Sequence, residues 1–261
     1  MNIAVCIKQV PASSVPMDKD QGVIMRSSAD GTINPWDLYA VESALQIAEK
    51  TGGTVTAISM GPASAEQTIR QAIAMGIHRG ILLCDKTFAG ADVYATAFTI
   101  AQGLKVAGDF DLIICGQQTT DGDTSQVPFS IATQMNVPVL GWVKKVESAS
   151  VSSITVLQEL SGGTQRVECT YPCVIAIGRE ACQPRITNLK NKLKAKNTPI
   201  QILGLNDMPK NDNKFYGLLA SPTRVVKIYE NTFESKNELL HLTSKNAALY
   251  LLKELEDAQH E

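Results

Sequence analysis

Residues 111–128 read DLIICGQQTTDGDTSQVP, and their order of types decides the fold. The apolar run from Asp111 to Cys115 suits a buried strand, and Val127-Pro128 opens a helical pattern that continues to Met135. Proline has no N–H and is tolerated only near a helix start, so Thr124 or Ser125 is the predicted N-cap. Between strand and helix lie Gly116, Gln117, Gln118, Thr119, Thr120, Asp121, Gly122, Asp123, Thr124, Ser125 and Gln126, with Val127 at the helix entrance. A strand-loop-helix unit aims the unpaired amides of the first helical turn, and the positive end of the helix dipole, at whatever lies in front of it. Phosphate oxygens suit that place. On these residues alone, an ordinary capped helix after a buried strand is the alternative reading.

Working outward, the same alternation recurs. Asn2–Lys8 (NIAVCIK) is a short apolar run with the pattern of a buried parallel strand, followed by a long polar segment from Pro11 to Ile33. At Asn34-Pro-Trp-Asp37, Asn34 can cap, Pro35 fits the first helical position, and the Asp37 carboxylate suits the helix terminus. Leu38, Val41, Leu45 and Ala48 recur at helical spacing until Gly52-Gly53. Thr54–Met60 is a second strand, with a helix after Gly61-Pro62 that ends at Gly76; Gly80–Cys84 is a third strand, with a helix from Asp92. The strand at 111–115 is the fourth, and Pro138-Val-Leu is a fifth. Alternation of this kind predicts an α/β fold: a mostly parallel sheet, right-handed crossovers, and helices on both faces.

Ligands of such sheets sit at the carboxyl ends of the strands. Those ends are Cys6 to Gln9, Met60 to Pro62 and Gly116 onward, and the helix starting at Asn34 can close over the same edge. The glycines match neither GxGxxG nor GxxxxGK[ST], which disfavours a dinucleotide fingerprint or a P-loop. A site assembled from several loops remains.

Beyond Gly141 the pattern changes. Ser152–Glu159 and Thr164–Thr170 alternate apolar and polar residues around Ser161-Gly-Gly163, the signature of an antiparallel hairpin, and Cys173–Gly178 is another buried strand. The residues from 185 to 197 include Arg185 and four lysines with Leu189 and Leu193 among them. They read as a solvated basic segment, or as a docking arm with a leucine anchor. Nucleic-acid binding is the weaker option, because nothing aromatic is there to stack on bases. Residues 197–233 show little periodicity. A final helix is predicted from Ser235, with Ser235 and Glu238 as a capping pair and Ala248, Leu251, Leu252 and Leu255 as an apolar stripe that packs on its own domain or on a partner.

The chain has 261 residues, 44% of them hydrophobic, 19% charged, with a net charge of −2. That balance suits a globular protein with a large core and gives no pull toward nucleic acid or membrane. The start, MNIAVCIKQV, has no long apolar h-region, and no stretch of roughly 18 apolar residues occurs, so neither secretion nor a membrane span is expected. Six cysteines without a CxxC pair read as free thiols in a reducing cytoplasm. The three histidines show no ligand spacing, so no metal site is expected.

Six ordered blocks carry a resemblance over nearly the whole length: VCIKQV, NPWDLYAVESAL, ISMGPASAEQTIRQAIAMG, DLIICGQQTTDGDTSQVP, ELSGGTQRVECTYPCVIA and QPRITNLKNKLKAK. The chain resembles the beta (small) subunits of electron-transfer flavoproteins. The family's hairpin motif has a basic residue where Gln158 stands here.

The resemblance implies a heterodimer with an alpha subunit that carries its own FAD. It implies an adenine-nucleotide-binding, Rossmann-like domain over 1–190 that includes the hairpin 151–170. A partner-docking loop at 185–197 would be anchored by Leu189, and a carboxyl-terminal arm over 198–261 would contact the alpha subunit. By position, the nucleotide-binding residues would be Cys6, Asn34, Pro35, Trp36, Asp37, Met60 and the loop from Gly116 to Val127. Housekeeping members hold AMP and have three consecutive aspartates in that loop. Here Gly122 separates Asp121 from Asp123, and Thr124 and Ser125 follow. Fewer carboxylates repel a pyrophosphate less, and NPWD resembles the electron-bifurcating group, whose beta subunit holds FAD. The implied function is flavin-based electron bifurcation. NADH is the donor, ferredoxin or flavodoxin the low-potential acceptor, and an acyl-CoA dehydrogenase or related reductase receives the other electron through the alpha subunit. A housekeeping beta subunit with structural AMP is the first alternative, and a stand-alone adenine-nucleotide-binding stress or sensor protein of similar fold is the second, from a different class.

Overall fold

The computed structural model describes residues 1–12, 17–18, 23–24, 31–226 and 239–258. They divide into two units, Met1–Lys227 and Ile228–Glu261.

The first unit is built on a nine-stranded sheet. Its strands are β1 (Asn2–Cys6), β2 (Thr54–Met60), β3 (Arg79–Leu83), β4 (Leu112–Gly116), β5 (Val139–Ala149), β6 (Ser153–Leu160), β7 (Gly163–Thr170), β8 (Cys173–Ile177) and β9 (Ile200–Leu203). Their order is β7-β6-β5-β8-β4-β1-β2-β3-β9. From β5 to β9 every pairing is parallel, whereas β6 and β7 join β5 as antiparallel strands. The chain lays β2 and β3 on one side of β1, then returns to place β4 on the other. The strand order therefore reverses between β1 and β4, and that crevice is where such sheets bind ligands.

Six helices accompany the sheet: α1 (Pro35–Thr51), α2 (Glu66–Met75), α3 (Val93–Ala107), α4 (Val127–Met135), α5 (Leu189–Asn197) and the single turn α6 (Gly217–Ala220). The two-residue side-chain period of the strands supplies a separate apolar layer to each face. Ile3, Val5, Val55, Ala57, Leu112 and Ile114 pack under α1 and α2, while Ala4, Ile58, Ile81, Leu83, Ile113 and Cys115 pack under α3 and α4. Burying a side chain such as Ile114 or Ile113 completely is worth about 1.5–3 kcal/mol, so both layers hold the sheet between its helices.

The α/β architecture and the hairpin stand as expected, with Ser161 and Gly162 as the two-residue turn and Gly162 at φ 91°. Several local expectations are corrected. The fifth strand does not stop near Leu140 but runs to Ala149, because its outer half pairs with β6. The basic segment is helical from Leu189, with Asn188 as its cap accepting from the Asn191 N–H at 2.8 Å; the lysines face outward while Ala195 is buried. Past residue 198, β9 adds to the sheet edge beside β3, and Tyr216 is fully buried against Phe88 and Phe98.

In the second unit, α7 (Ser244–Ala258) begins nine residues after the predicted start. Residues 239–243 are irregular, and the Ser235–Glu238 capping pair lies outside the described residues. Leu251, Leu252 and Leu255 share one face of α7, and all three are exposed. Among the described residues, no helix is long and apolar enough to cross a membrane.

Candidate nucleotide site at the carboxyl edge of the sheet

Cys6 closes β1 and Gly116 closes β4, and Cys6 lies in register with Cys115 across the reversal of strand order. The first turn of α1 is wedged above this crevice. Asp37 there is almost completely buried; its Oδ2 accepts the Lys8 N–H at 2.7 Å and its Oδ1 accepts from Asn34 Nδ2 at 2.9 Å. Burial pushes the Asp37 carboxyl up to about 7, with the Lys8 and Asn34 donors pulling the other way. Asn34 Nδ2 also donates to the Gln118 carbonyl at 2.8 Å, and the Asn34 N–H donates to the Lys8 carbonyl at 2.9 Å. The end of β1, the start of α1 and the loop after β4 are thus stitched together through two polar side chains.

Asn34 was expected to cap α1. Its side chain instead spends its amide on Asp37 and Gln118, and no side-chain hydrogen bond caps the helix. The Asn34 Oδ1 atom is buried and has no partner. Pro35 and Trp36 form the outer surface of the same turn, Pro35 exposed and Trp36 half-buried.

The loop after β4 makes two unusual turns. Asp123 and Ser125 have φ of 43° and 54°, a left-handed conformation that non-glycine residues seldom adopt. Neither Thr124 nor Ser125 is the N-cap, which corrects the expectation. Position N-cap falls to Gln126, whose side chain makes no capping bond, and α4 starts at Val127. A left-handed Ser125 cannot take the extended conformation that a capping side chain needs. The first-turn donors of α4 are therefore not capped by a side chain of the loop. Thr119 Oγ1 accepts the Asp123 N–H at 3.1 Å and holds the turn between them. At Gly122 the backbone is not left-handed, and a Cβ would meet only Thr119 Oγ1, at 3.9 Å. Neither packing nor conformation within the chain demands glycine there, so the open space it leaves faces something else. Lys8 crosses to the loop, with its ammonium 2.7 Å from Asp121 Oδ1.

Beside this loop is a cleft of about 340 Å³. Trp36, Gln117 and Gln118 line it together with Trp142, Lys144, Glu159, Arg179 and Glu180. Trp142 sits in β5 at φ 52°, near a break in the pairing register of β5 with β8, and its indole is 41% exposed. A bulky residue held in that region is strained, and such strain gathers at functional sites. Lys144 pairs with Glu180 at 2.9 Å along the rim. The cleft offers two indoles, two amides and charges of both signs, Glu159 and Glu180 among them, and the indoles suit a planar heterocycle.

Of the residues singled out from the sequence, Cys6, Asn34, Pro35, Trp36, Asp37 and the loop from Gly116 to Val127 converge on this edge. Met60 ends β2 on the same edge, where it packs partly buried against the layer under α3. Leu189 does not join them. The segment after β8 runs back along α1, where Arg185 binds Glu42 and Glu49, and Arg185 and Asn191 share a cavity with Gly53 and His78 just before β2 and β3. Leu189 therefore marks a separate surface, 73% exposed. Lys8, Trp142, Lys144 and Arg179 escaped sequence reading. Lys8 sits only two residues beyond Cys6 at a strand end, which is the one signal that pointed to it.

Comparison with known proteins shows the family. Residues 21–208 match the family model described as the electron transfer flavoprotein domain. The chain is 37% identical over 257 residues to an electron transfer flavoprotein subunit beta of Thermoanaerobacterium thermosaccharolyticum, covering 98% of both chains. It is 33% identical over 261 residues to the subunit of the same name from Clostridium acetobutylicum, covering all of both. Caffeyl-CoA reductase-Etf complex subunit CarD of Acetobacterium woodii is 34% identical over 248 residues, 94% of each chain.

Proposed function

The chain belongs to the electron transfer flavoprotein family as a beta-subunit homologue, and from that premise we propose that it binds FAD at the carboxyl edge of its sheet and passes electrons from NADH within a heterodimer. The observation that carries this reading is the pairing of the Gly122 loop with the adjoining cleft. A loop with open space at Gly122, before an uncapped helix start, suits phosphates. The cleft between Trp36 and Trp142 adds room for a planar ring that AMP alone would leave unused.

The residues present fit the group. Amides of Gly122, Thr124, Ser125 and Val127 would hold the diphosphate, Asn34 Oδ1 is a buried acceptor still lacking a donor, and the indoles of Trp36 and Trp142 would flank a ring. When bound, the flavin would supply hydride acceptance from NADH and one-electron transfer, with a ferredoxin or flavodoxin and the alpha-subunit FAD as the two acceptors. The chain's own part is to position and to exclude water. Lys144 and Arg179 line the cleft together with Glu159 and Glu180, so both signs of charge stand beside the ring position, with Lys144 already paired to Glu180. No side chain is assigned as a general acid or base. From the alpha subunit, electrons go on to an acyl-CoA dehydrogenase or related reductase, which docks at Leu189. The relative from Acetobacterium woodii carries a reductase complex in its own name, which supports such a partner.

The test is to co-purify the chain with its alpha subunit, release the nucleotides and determine their masses. Two FAD per heterodimer, with NADH oxidation, is the expected result. One FAD with AMP makes the chain a housekeeping carrier with a structural nucleotide. A stable, partnerless chain holding an adenine nucleotide and no flavin makes it a sensor.

A further inference from the structure

Lys8 touches all three walls of the crevice. Its N–H donates to Asp37 Oδ2 at 2.7 Å, its carbonyl accepts from the Asn34 N–H at 2.9 Å, and its ammonium reaches Asp121 Oδ1 at 2.7 Å. The same Asp121 oxygen accepts the Gly122 N–H at 2.8 Å. One carboxylate oxygen therefore gathers an ammonium and a backbone amide in front of α4. That is the donor set with which proteins hold a phosphate oxygen. Burial by itself would raise the Asp121 pKa, but the Lys8 ammonium, the Thr119 hydroxyl and the Gly122 amide together outweigh it, and the carboxyl is held below its ordinary value. It is thus an anion at neutral pH, as a phosphate is.

We propose that Lys8 is a diphosphate-binding residue and that Asp121 is its built-in stand-in, yielding the Lys8 ammonium and the Gly122 N–H to a phosphate of the bound nucleotide. The inference rests on the nucleotide reading above and adds to it a residue and a competitor. The exchange moves no covalent bond and no proton. It keeps the Lys8 charge compensated before and after, and it takes one of the loop's two carboxylates out of the path of the incoming anion. Gly122 is where a phosphate can approach, since only Thr119 Oγ1 lies within 4 Å of its Cβ position. The Asp123 N–H on Thr119 Oγ1 gives the turn a second hold besides the Asp121 contact. Lys8 lies 113 residues from Asp121 and its side chain is 44% exposed, so the ammonium can follow a ligand without disturbing the core.

The test uses the full chain in complex with its alpha subunit, freed of nucleotide, and calorimetric titration with ADP and with adenosine as the phosphate-free control. Lys8→Met is expected to weaken ADP about tenfold and leave adenosine unchanged, the size expected for one charge-assisted hydrogen bond. Lys8→Arg should recover most of the loss. Asp121→Asn is expected to tighten ADP severalfold, because it removes the competitor. If ADP binding is unchanged in both, or if Asp121→Asn weakens ADP as Lys8→Met does, the pair is only a structural latch and the inference falls. A parallel loss of adenosine overturns it in the same way. Should Lys8→Met fail to fold, Lys8→Arg and Asp121→Asn decide between the same outcomes. Wild-type complex that binds neither ligand would overturn the nucleotide reading itself.

Discussion

The last residue of β4, Gly116, lies so close to Asp37 at the start of α1 that a Cβ on Gly116 would overlap the Asp37 carboxylate. The same Cβ would stand 3.1 Å from the Asp37 backbone nitrogen, so the neighbour that must yield includes main chain. This contact sets how deeply the first turn of α1 sinks into the crevice between β1 and β4.

Gly116→Ala is therefore expected to destabilise the protein by about 1–3 kcal/mol, the range for overpacking a well-filled site. For a unit of this size that lowers the melting temperature by roughly 2–4 °C per kcal/mol. It should also weaken nucleotide binding, since Asn34 and the Gln118 carbonyl move with α1. Calorimetric melting and nucleotide titration check both effects.

Asp37 makes stability depend on pH in a stated direction. Its carboxyl has a folded pKa near 7 because burial penalises the charged form, against an ordinary value of 3.8. The folded state therefore binds the proton more tightly than the unfolded chain does. The stabilisation is full below about 4 and is lost as pH rises through about 7. Melting temperatures of the wild type should fall across that window, and Asp37→Asn should flatten the trend. A wild-type profile matching that of Asp37→Asn would refute the assignment.

Two arginines hold α5. Arg185 bridges Glu42 and Glu49, each at 2.7 Å, and Arg70 donates to the carbonyls of Ala195 and Lys196 at the far end of the helix. Glu42 is buried; burial pushes its carboxyl up and the Arg185 guanidinium pulls it further down, below its ordinary value. Removing the guanidinium in Arg185→Ala leaves a buried carboxylate unpaired, at about 2–4 kcal/mol. The expected signs are a lower melting temperature and faster proteolytic cutting between residues 186 and 197.

Leu189 stands at the first position of α5 among lysines, with Ile186 almost fully exposed just before it. Leu189→Ala should leave the melting temperature and the nucleotide content unchanged, because the side chain is mostly in solvent. Electron transfer to the dehydrogenase or reductase should slow at limiting partner concentration. Loss of nucleotide in this variant would remove the docking role.

The local patterns in the sequence determined the alternation of β1 to β4 with α1 to α4. They also determined that the loop from Gly116 to Val127 would meet Cys6 and the Asn34 turn at one edge. Those readings rest on side-chain period and on proline and glycine, which act within a few residues, together with a topology rule that turns alternation into a parallel sheet. Sequence patterns could not supply what depends on partners far along the chain. The extension of β5 to Ala149 comes from β6 beside it, and the short edge strand β9 exists because β3 offers it hydrogen bonds. Ser125 lost its capping role to a left-handed turn that the loop takes as a whole. The Lys8–Asp121 pair arises only when the strand order sets β4 beside β1, across 113 residues. Side chains that meet through the register of a sheet leave no periodic trace in sequence, and the tertiary structure alone brought them together.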